Sequence, residues 1–326
     1  MSSPRPVPPL VPHPVPIPAG TRVHVRVPAS SANLGPGFDS VGLALGVWDE
    51  CTVEVTEEPG LVVEVAGQGS DTIPRDASHL VVRSMRRAWA ELGVPPPGGL
   101  VLRCRNRVPH GRGMGSSAAA IVAGIVAAQG LCDVAAGGRD LERSFTNDLA
   151  ARLEGHPDNA SASIYGGATL SISDETHEQT TTVRLALDPR IIPVVLVPGE
   201  VLSTAKARSV LPDRVSLADA AANGARVGLL VHALTSDPAL LLTATVDLLH
   251  QEPRRPSYPA SMGLVDGLRS AGHAAVISGA GPSVLVLATP DSVADVVALG
   301  PAGWDVLTPG VPVSGVEVTS PVVTGA

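Results

Sequence analysis

Three alternating glycines precede two serines and an apolar segment between Pro109 and Ala120, where the chain reads Pro-His-Gly-Arg-Gly-Met-Gly-Ser-Ser-Ala-Ala-Ala. Glycines let a backbone approach a phosphate group closely, and the free N–H groups at the start of a helix attract its negative charge. The segment therefore predicts a phosphate cradle that needs no lysine. A glycine-rich turn capped by serine is the alternative interpretation of the spacing alone.

Three further segments carry polar side chains next to glycines. Pro28–Asp39 follows a predicted strand and presents Asn33 and Asp39, so it can bind a polar ligand. Glu154–Asn159 forms a compact polar turn after a predicted helix, and Ser278–Ser283 joins two apolar segments. Each segment is also typical of ordinary turn chemistry.

The surrounding sequence predicts the strands that must position these segments. Val23, Val25 and Val27 alternate with polar residues, which is the pattern of a half-buried strand that begins at Thr21. Further short strands are predicted at Cys51–Thr56, Leu61–Val65, Leu100–Arg105 and Ala168–Ile172. The phosphate cradle and the turn with Asn33 therefore each follow a strand.

Three helices are predicted in the same half of the chain. Ser78–Leu92 places its apolar residues on one face, and Gly93 can end it. Ala118–Ala128 has no charged residue, so a helix there is apolar all round, too short to span a membrane, and buried in the core. A third helix ends near Gly155 and carries an apolar i, i+4 stripe made by Leu141, Phe145, Leu149 and Leu153.

The chain is predicted to form two domains after a tail. Residues 1–20 contain eight prolines and are interpreted as an extended or disordered tail, with a ligand for a proline-recognition module as the alternative. Ser173–Thr182 is polar and mixed in charge, which places the domain boundary near residue 175. We therefore expect one domain over residues 21–175 and a second domain over residues 176–320.

The composition argues against several partners. Of the 326 residues, 17% are charged and 44% are hydrophobic, which is typical of a soluble globular protein. A net charge of -8, with only three Trp, two Tyr and two Phe, argues against nucleic acid and an anionic membrane surface as partners. Three widely spaced cysteines are typical of reduced thiols, and no apolar run reaches the roughly 20 residues of a membrane span, so we expect a cytoplasmic protein.

Lysine usage excludes two kinase classes. Lys206 is the only lysine and lies in Thr-Ala-Lys-Ala-Arg, whereas a Walker A loop needs Gly-Lys followed by Ser or Thr, and a protein kinase needs a strand lysine with HRD and DFG motifs. Pyridoxal chemistry would have to use the same lysine, and no supporting pattern surrounds it. A dinucleotide-binding motif at Gly279–Gly281 fails because Val284 occupies the third glycine position.

The four segments with chemistry, in this order, resemble the GHMP kinases, named for galactokinase, homoserine kinase, mevalonate kinase and phosphomevalonate kinase, over roughly residues 21–290. Pro-Ala-Ser-Ser-Ala-Asn-Leu-Gly-Pro-Gly-Phe-Asp and the later Glu-Gly-His-Pro-Asp-Asn are similar to homoserine kinases in particular. The implied fold class is α+β, a two-domain GHMP kinase fold with an N-terminal ribosomal-protein-S5-like domain, a C-terminal ferredoxin-like domain and the active site between them.

The resemblance implies phosphoryl transfer from MgATP to the side-chain hydroxyl of L-homoserine, giving O-phospho-L-homoserine on the route to threonine. ATP and Mg²⁺ are therefore the implied cofactors, and family members are often homodimers, although no feature of this sequence marks an interface. The implied ATP phosphate loop comprises Val108, Pro109, His110, Gly111, Arg112, Gly113, Met114, Gly115, Ser116, Ser117 and Ala118.

The resemblance also implies two magnesium ligands. Ser117 matches through its hydroxyl, an oxygen donor that suits a hard cation. The second ligand of the family is a glutamate eight residues before the histidine of His-Pro-Asp-Asn, and here that position is Asp148, a shorter carboxylate. An i, i+4 pair between Asp148 and Arg152 on an exposed helix is the alternative.

A zwitterion with a hydroxyl needs a cation for its carboxylate, acceptors for its ammonium group and groups that hold the hydroxyl. The positions that match the substrate contacts of the family, including two arginines that can fork onto a carboxylate, are Asn33, Asp39, His156, Arg208 and Arg254. Arg255 is the alternative match to Arg254.

Asn159 and Arg208 are the implied catalytic residues. Asn159 stands where mevalonate kinases have an aspartate, so the asparagine favours the homoserine branch, which works without an obvious base. Asp158 is a structural candidate beside it. His79 stands where the family usually has asparagine near the adenine, and it either hydrogen-bonds to adenine or is an ordinary early-helix residue.

The departures at His79 and Asp148 keep a second hypothesis open, a related kinase for another hydroxylated amino acid or small metabolite. A third hypothesis is a non-enzymatic ATP-binding regulator on the same fold. The retained phosphate loop, metal oxygens and substrate arginines argue against the third hypothesis.

Overall fold

The computed structural model describes residues 16–136, 141–174, 176 and 178–320, so most of the predicted Pro-rich tail lies outside the described residues. The strands are β1 (Arg22–Asn33), β2 (Gly37–Val55), β3 (Gly60–Gly67), β4 (Gly99–Asn106), β5 (Ala168–Ser173), β6 (Thr180–Leu185), β7 (Ile192–Val197), β8 (Ala275–Ile277), β9 (Val284–Ala288), β10 (Asp305–Leu307) and β11 (Glu317–Thr319). The helices are α1 (Leu80–Leu92), α2 (Ser116–Ala135), α3 (Arg143–Glu154), α4 (Asp158–Tyr165), α5 (Thr204–Arg208), α6 (Leu217–Thr235), α7 (Leu241–Ala244), α8 (Gln251–Arg254), α9 (Pro259–Ser270) and α10 (Val293–Ala298), with short 3-10 helices at Pro238–Leu240 and Arg255–Ser257.

The first sheet has the strand order β11–β1–β2–β4–β3, and β5 and β6 extend it from β2. The long strand β2 pairs with β1 along most of its length, with β5 through its first part and with β4 through its second part. Register shifts follow Pro28 and Ala32 in the β1–β2 hairpin. Irregularities of this kind bend a strand and re-aim its side chains, here next to the turn that carries Asn33.

The first sheet extends past the boundary predicted near residue 175. β5 pairs antiparallel with β6, so the first sheet continues to Leu185. β11 also returns to the first sheet and pairs with β1. Ser173 and residues 180–182 therefore belong to paired strands, and the ranges 21–175 and 176–320 do not separate the two sheets.

Helix α2 lies in the core of the first domain. It has 20 residues, more than the predicted segment Ala118–Ala128, and it packs against α1, α3, α4 and β1. The helix is long and apolar enough to cross a membrane, but 72% of its apolar stretch of 18 residues is buried inside the protein. The prediction of a buried core helix is therefore confirmed, whereas the prediction that it is too short to span a membrane is wrong.

The apolar stripe predicted for the third helix is only partly present. Leu149 is buried in the core, and Leu141 and Phe145 are partly buried against it. Leu153 is 39% exposed. It lies in the last turn of α3, just before Gly155 adopts a left-handed conformation and the chain turns towards α4.

The second sheet is antiparallel, with the order β10–β7–β9–β8. Residues of α9 and α10, including Met262 and Val296, cover one face. The other face packs with α6 and with β2 side chains such as Leu43 and Leu45. The two domains therefore share an apolar core, and the α+β architecture agrees with the predicted fold class.

A glycine sets the separation of α1 and α2. A Cβ atom added at Gly124 would overlap the Val81 carbonyl oxygen and crowd the Ser84 side chain, whereas a Cβ added at Gly224, on the exposed face of α6, would meet nothing within 4 Å. We expect Gly124→Ala to lower the free energy of unfolding by about 1–3 kcal/mol through overpacking. The matched control Gly224→Ala should raise it by about 0.5–1 kcal/mol through helix propensity. Urea denaturation measures both changes, and equal changes would contradict this packing interpretation.

Candidate functional site

The glycine segment forms a tight turn between β4 and α2. Gly111, Gly113 and Gly115 have φ angles of +63°, +72° and +70°, which side-chain-bearing residues rarely adopt. A Cβ atom at Gly113 would also overlap the Ser278 carbonyl oxygen, and one at Gly115 would overlap Ser30 Oγ. Glycine is therefore required by the backbone angle and by the neighbouring atoms.

This turn leaves the start of α2 open to a ligand. The residue before the helix is Gly115, and no side chain caps the first N–H groups. Unpaired N–H groups and the helix dipole attract anions at this end. The geometry fits a phosphate group held by backbone donors.

Two cavities adjoin the start of α2. The polar cavity, of about 130 Å³, is lined by residues that include Asn33, Asp39, Glu154, His156, Arg208 and Arg254. The apolar cavity, of about 250 Å³, is lined by residues that include Asp49, Cys51, Ile73, His79, Leu80 and His110. Both cavities reach Ser116 and Ser117, so a ligand with a ring and phosphates can place the ring in one and the phosphates beside the other.

The predicted phosphate loop divides into residues that face the cavities and residues that hold the turn. Those that line the polar cavity are Gly111, Gly113, Gly115, Ser116 and Ser117. Those buried in the protein core are Val108, Met114 and Ala118. The Arg112 side chain does not line either cavity, because it donates hydrogen bonds to the carbonyl oxygens of Pro198 and Gly199.

His79 lies in the apolar cavity and is 4% exposed. Its side chain does not cap α1, and neither ring nitrogen has a hydrogen-bond partner among the described residues. Burial, and then the neighbouring His110, lower the pKa of the His79 ring, which favours its neutral form. A neutral imidazole offers one donor and one acceptor to a ligand in this cavity.

Asp49 is a residue that holds the glycine turn in place, and sequence analysis missed it. Its Oδ1 accepts hydrogen bonds from the backbone N–H groups of Arg107 at 2.7 Å and Val108 at 2.8 Å, so it ties the entry of the glycine turn to β2. Burial raises the pKa of Asp49 to about 6 against the effect of these donors. No sequence signal separates Asp49 from the other acidic residues of its strand.

Glu154, at the end of α3, lies beside Ser117. The Ser117 hydroxyl donates to Glu154 Oε2 at 2.9 Å. Burial raises the pKa of the Glu154 carboxyl group, although His156 and the hydroxyl oppose the shift. Hydroxyl and carboxylate oxygens suit a hard divalent cation. Glu154 is the first residue of the segment Glu-Gly-His-Pro-Asp-Asn, which the sequence analysis singled out. The spacing of the family's magnesium ligand nevertheless pointed to Asp148.

The structure does not bring Asp148 to either cavity. Asp148 lies six residues before Glu154, about 9 Å along the helix axis. Its Oδ1 accepts a hydrogen bond from the backbone N–H of Thr180 at 2.8 Å. The carboxylate beside Ser117 is therefore Glu154, and Arg152, the alternative partner of Asp148, forms ion pairs with Glu91 and Glu178.

Asn33, the last residue of β1, and Asp39, near the start of β2, flank the turn between these strands. Their φ angles are +72° and +53°, a region that residues other than glycine rarely adopt. Asn33 Oδ1 accepts from the Asp39 N–H at 3.0 Å, and Asn33 Nδ2 donates to the Gly279 carbonyl oxygen at 2.9 Å. Arg208 donates to both carboxylate oxygens of Asp39, at 3.0 and 2.5 Å. The turn thus connects the first sheet to α5 and to the loop between β8 and β9.

His156 and Asp158 form a buried pair at the start of α4. His156 Nδ1 lies 2.5 Å from Asp158 Oδ1. Burial lowers the pKa of His156, but the Asp158 carboxylate outweighs that effect and raises the pKa above its usual value. Asn159, the next residue, accepts a hydrogen bond from Ser30 Oγ at 3.0 Å. The polar cavity therefore contains groups of both charges.

Arg254, and not Arg255, faces the polar cavity. Arg254 is 1% exposed, and it forms no ion pair with a carboxylate in the described part of the chain. Arg255 lies at the surface and pairs with Glu252 and Asp266. Of the two alternatives that the sequence left open, only Arg254 therefore lies where it can contact a ligand in this cavity.

Two family profiles match the chain, GHMP kinases N terminal domain over residues 79–167 and GHMP kinases C terminal over residues 230–299. The homoserine kinase of Streptomyces coelicolor is 51% identical over 282 residues, which cover 86% of this chain and 89% of that protein. The homoserine kinase of Cutibacterium acnes is 48% identical, with coverage of 86% and 94%. The crystal structure of homoserine kinase from Cytophaga hutchinsonii has a TM-score of 0.80 at 26% identity and covers 92% of this chain and 98% of that one.

The position of Asp49 predicts a stability effect. We expect Asp49→Ala to lower the free energy of unfolding by about 1–2 kcal/mol, because two backbone N–H groups lose a charged acceptor. Glu50→Ala is the matched control, since Glu50 forms only partly exposed ion pairs with Arg26 and Arg107, which contribute about 0–1 kcal/mol. Urea denaturation separates the two variants, and a loss for Asp49→Ala no larger than for the control would contradict the assignment.

Proposed function

The chain belongs to the homoserine kinase family of the GHMP kinases, and we propose that it transfers the γ-phosphoryl group of ATP to the side-chain hydroxyl of L-homoserine. The product is O-phospho-L-homoserine, on the route to threonine. One observation carries the proposal beyond the family relationship. The buried guanidinium of Arg254, which has no carboxylate partner in the described part of the chain, lines a cavity that adjoins the phosphate turn.

The polar cavity offers a partner for each end of an amino acid. Burial lowers the pKa of Arg254 and outweighs the opposing effect of the carboxylates of Asp39 and Asp247, neither of which forms an ion pair with it. A substrate carboxylate supplies that anion, and a guanidinium can bind it through two parallel hydrogen bonds. The carboxylates of Asp39 and Asp158 lie close to His156 in the same cavity and can accept the ammonium group.

ATP fits the two cavities together. Its adenine ring occupies the apolar cavity, where His79 offers an unpaired donor and acceptor. Its phosphates lie at the glycine turn and the start of α2, where Ser116 and Ser117 connect the two cavities. ATP bound in this way would have its transferred phosphoryl group next to the proposed site for the amino acid.

The pair of Ser117 and Glu154 can hold Mg²⁺. The two oxygen donors lie 2.9 Å apart at the end of α2 where phosphates bind, and hydroxyl and carboxylate oxygens are ligands that this cation accepts. When bound, Mg²⁺ neutralises charge on the phosphates. Ser117 and Glu154 then fix where that charge is neutralised relative to the polar cavity.

The residues near the reacting hydroxyl position it. Phosphoryl transfer depends largely on alignment and charge neutralisation, so a strong base is not required. Asn159 is uncharged and its side chain is oriented by Ser30, so it can hold the hydroxyl without taking its proton. Arg208 supplies positive charge at the same cavity while Asp39 fixes its orientation.

An assay of ADP release with MgATP and a panel of L-homoserine, L-threonine, L-serine and mevalonate tests the proposed function. We expect efficient turnover of L-homoserine only, with a phosphomonoester product in the phosphorus NMR spectrum. Preferential turnover of another compound would favour a kinase of different specificity. Binding of ATP without any turnover would favour a regulator.

Exchanging carboxylates on α3 tests the magnesium assignment. We expect Ser117→Ala and Glu154→Gln to raise the Mg²⁺ concentration for half-maximal activity about tenfold or more, because each removes a ligand. Asp148→Asn should leave that concentration unchanged, since Asp148 contacts Thr180 instead. Titration of MgCl₂ at fixed ATP provides the measurement. If Asp148→Asn raised this Mg²⁺ concentration and Glu154→Gln did not, Asp148 would be the magnesium ligand, as the family spacing predicted.

A further inference from the structure

A buried histidine holds the arginine of the polar cavity. His250 is 0% exposed and Arg254 is 1% exposed. Arg254 Nη1 lies 3.1 Å from His250 Nδ1, and Arg254 Nε donates to the carbonyl oxygen of Ala207 at 3.0 Å. Both partners of the guanidinium are therefore uncharged acceptors.

The second nitrogen of His250 fixes the state of the ring. Nε2 lies 2.8 Å from the carbonyl oxygen of Gly35, in the turn between β1 and β2. A carbonyl oxygen only accepts, so Nε2 carries the hydrogen atom, and Nδ1 keeps the lone pair that accepts from Arg254. The hydrogen-bond network thus assigns the neutral Nε2–H tautomer.

Further contacts keep the ring in place. Asp247 accepts hydrogen bonds from the backbone N–H groups of residues 249–251 and fixes the turn on which His250 lies. The ring of Phe38 stacks on His250 with a centroid distance of 5.1 Å. The guanidinium groups of Arg208 and Arg254 each lie 5.5 Å from the centroid of the same Phe38 ring.

We infer that His250 is a positioning residue for substrate selection, which orients Arg254 towards the carboxylate of the substrate and ties it to the turn that carries Asn33 and Asp39. The inference rests on the proposed function. A carboxylate at this position would also orient Arg254, but it would compensate the positive charge that the substrate needs. A neutral imidazole fixes the direction of the guanidinium and leaves its charge for the ligand.

Two near-isosteric variants separate the two nitrogens. In His250→Asn the amide oxygen can take the place of Nδ1, so Arg254 keeps an acceptor. In His250→Gln the longer amide can reach Gly35 but leaves no acceptor at Nδ1. We expect His250→Gln to raise the KM for L-homoserine about tenfold or more and to change the KM for ATP less than about twofold. His250→Asn keeps the acceptor for Arg254 but loses the donor to Gly35, so its KM for L-homoserine should rise less than that of His250→Gln, and its KM for ATP should stay close to the wild type.

A double-mutant cycle with Arg254→Gln identifies the route of the effect. If His250 acts through Arg254, His250→Gln causes no further rise in the KM for L-homoserine once Arg254→Gln is present.

L-Homoserine amide, which keeps the hydroxyl and ammonium groups but lacks the negative charge, should be used equally by the wild type and His250→Gln. Arg255→Gln is the control for a general loss of positive charge and should behave as wild type, since Arg255 pairs with surface carboxylates.

The outcomes that overturn the inference are distinct from those that overturn the proposed function. No turnover of L-homoserine by the wild type would overturn both. If the wild type turns over L-homoserine, three results for His250→Gln would overturn the role of His250 alone. They are an equal loss with L-homoserine and with the amide, a KM for ATP that rises in parallel with the KM for L-homoserine, and an effect that adds to that of Arg254→Gln in the double variant. Thermal unfolding of each variant confirms that the compared proteins are folded.

Discussion

The site depends on hydrogen bonds that join three segments. The end of β1, the turn before α2 and the loop between β8 and β9 meet through backbone and serine side-chain atoms. The Gly279 N–H donates to the Ala32 carbonyl oxygen at 3.1 Å, and Ser278 Oγ donates to the Gly113 carbonyl oxygen at 2.6 Å. Because the third loop belongs to the second sheet, the same contact fixes one domain against the other and closes the polar cavity between them.

The proposed anion sites have little positive charge to draw on. The net charge is -8 and the chain has one lysine, so the proposed phosphate site relies on the backbone at the start of α2, where N–H groups carry partial positive charge. The proposed site for the carboxylate relies on Arg254, which is buried and donates to Ala207 and His250 without a carboxylate partner in the described part of the chain. A few well-placed groups thus provide a local attraction that the overall charge opposes.

Much of the local structure could be predicted from the sequence. The alternation of Val23, Val25 and Val27 gives β1, and the uncharged segment from Ala118 gives the buried part of α2, because each pattern depends only on neighbours along the chain. The glycine turn could be located for the same reason, since its backbone angles are a local property. The four segments that contain the cavity residues were therefore recognisable before their arrangement in space was known.

The arrangement itself was decided by contacts between distant residues. Sequence spacing selected Asp148, but the position of α3 against α2 places Glu154 beside Ser117. Sequence could not choose between Arg254 and Arg255, since only burial separates a guanidinium without a carboxylate from one paired at the surface. The predicted ranges do not separate the two sheets, because strand pairing joins β6 and β11 to the first sheet. The sequence by itself determined the local elements and the chemistry available, whereas the tertiary structure decided which groups meet, because hydrogen bonding and burial act between residues far apart in the chain.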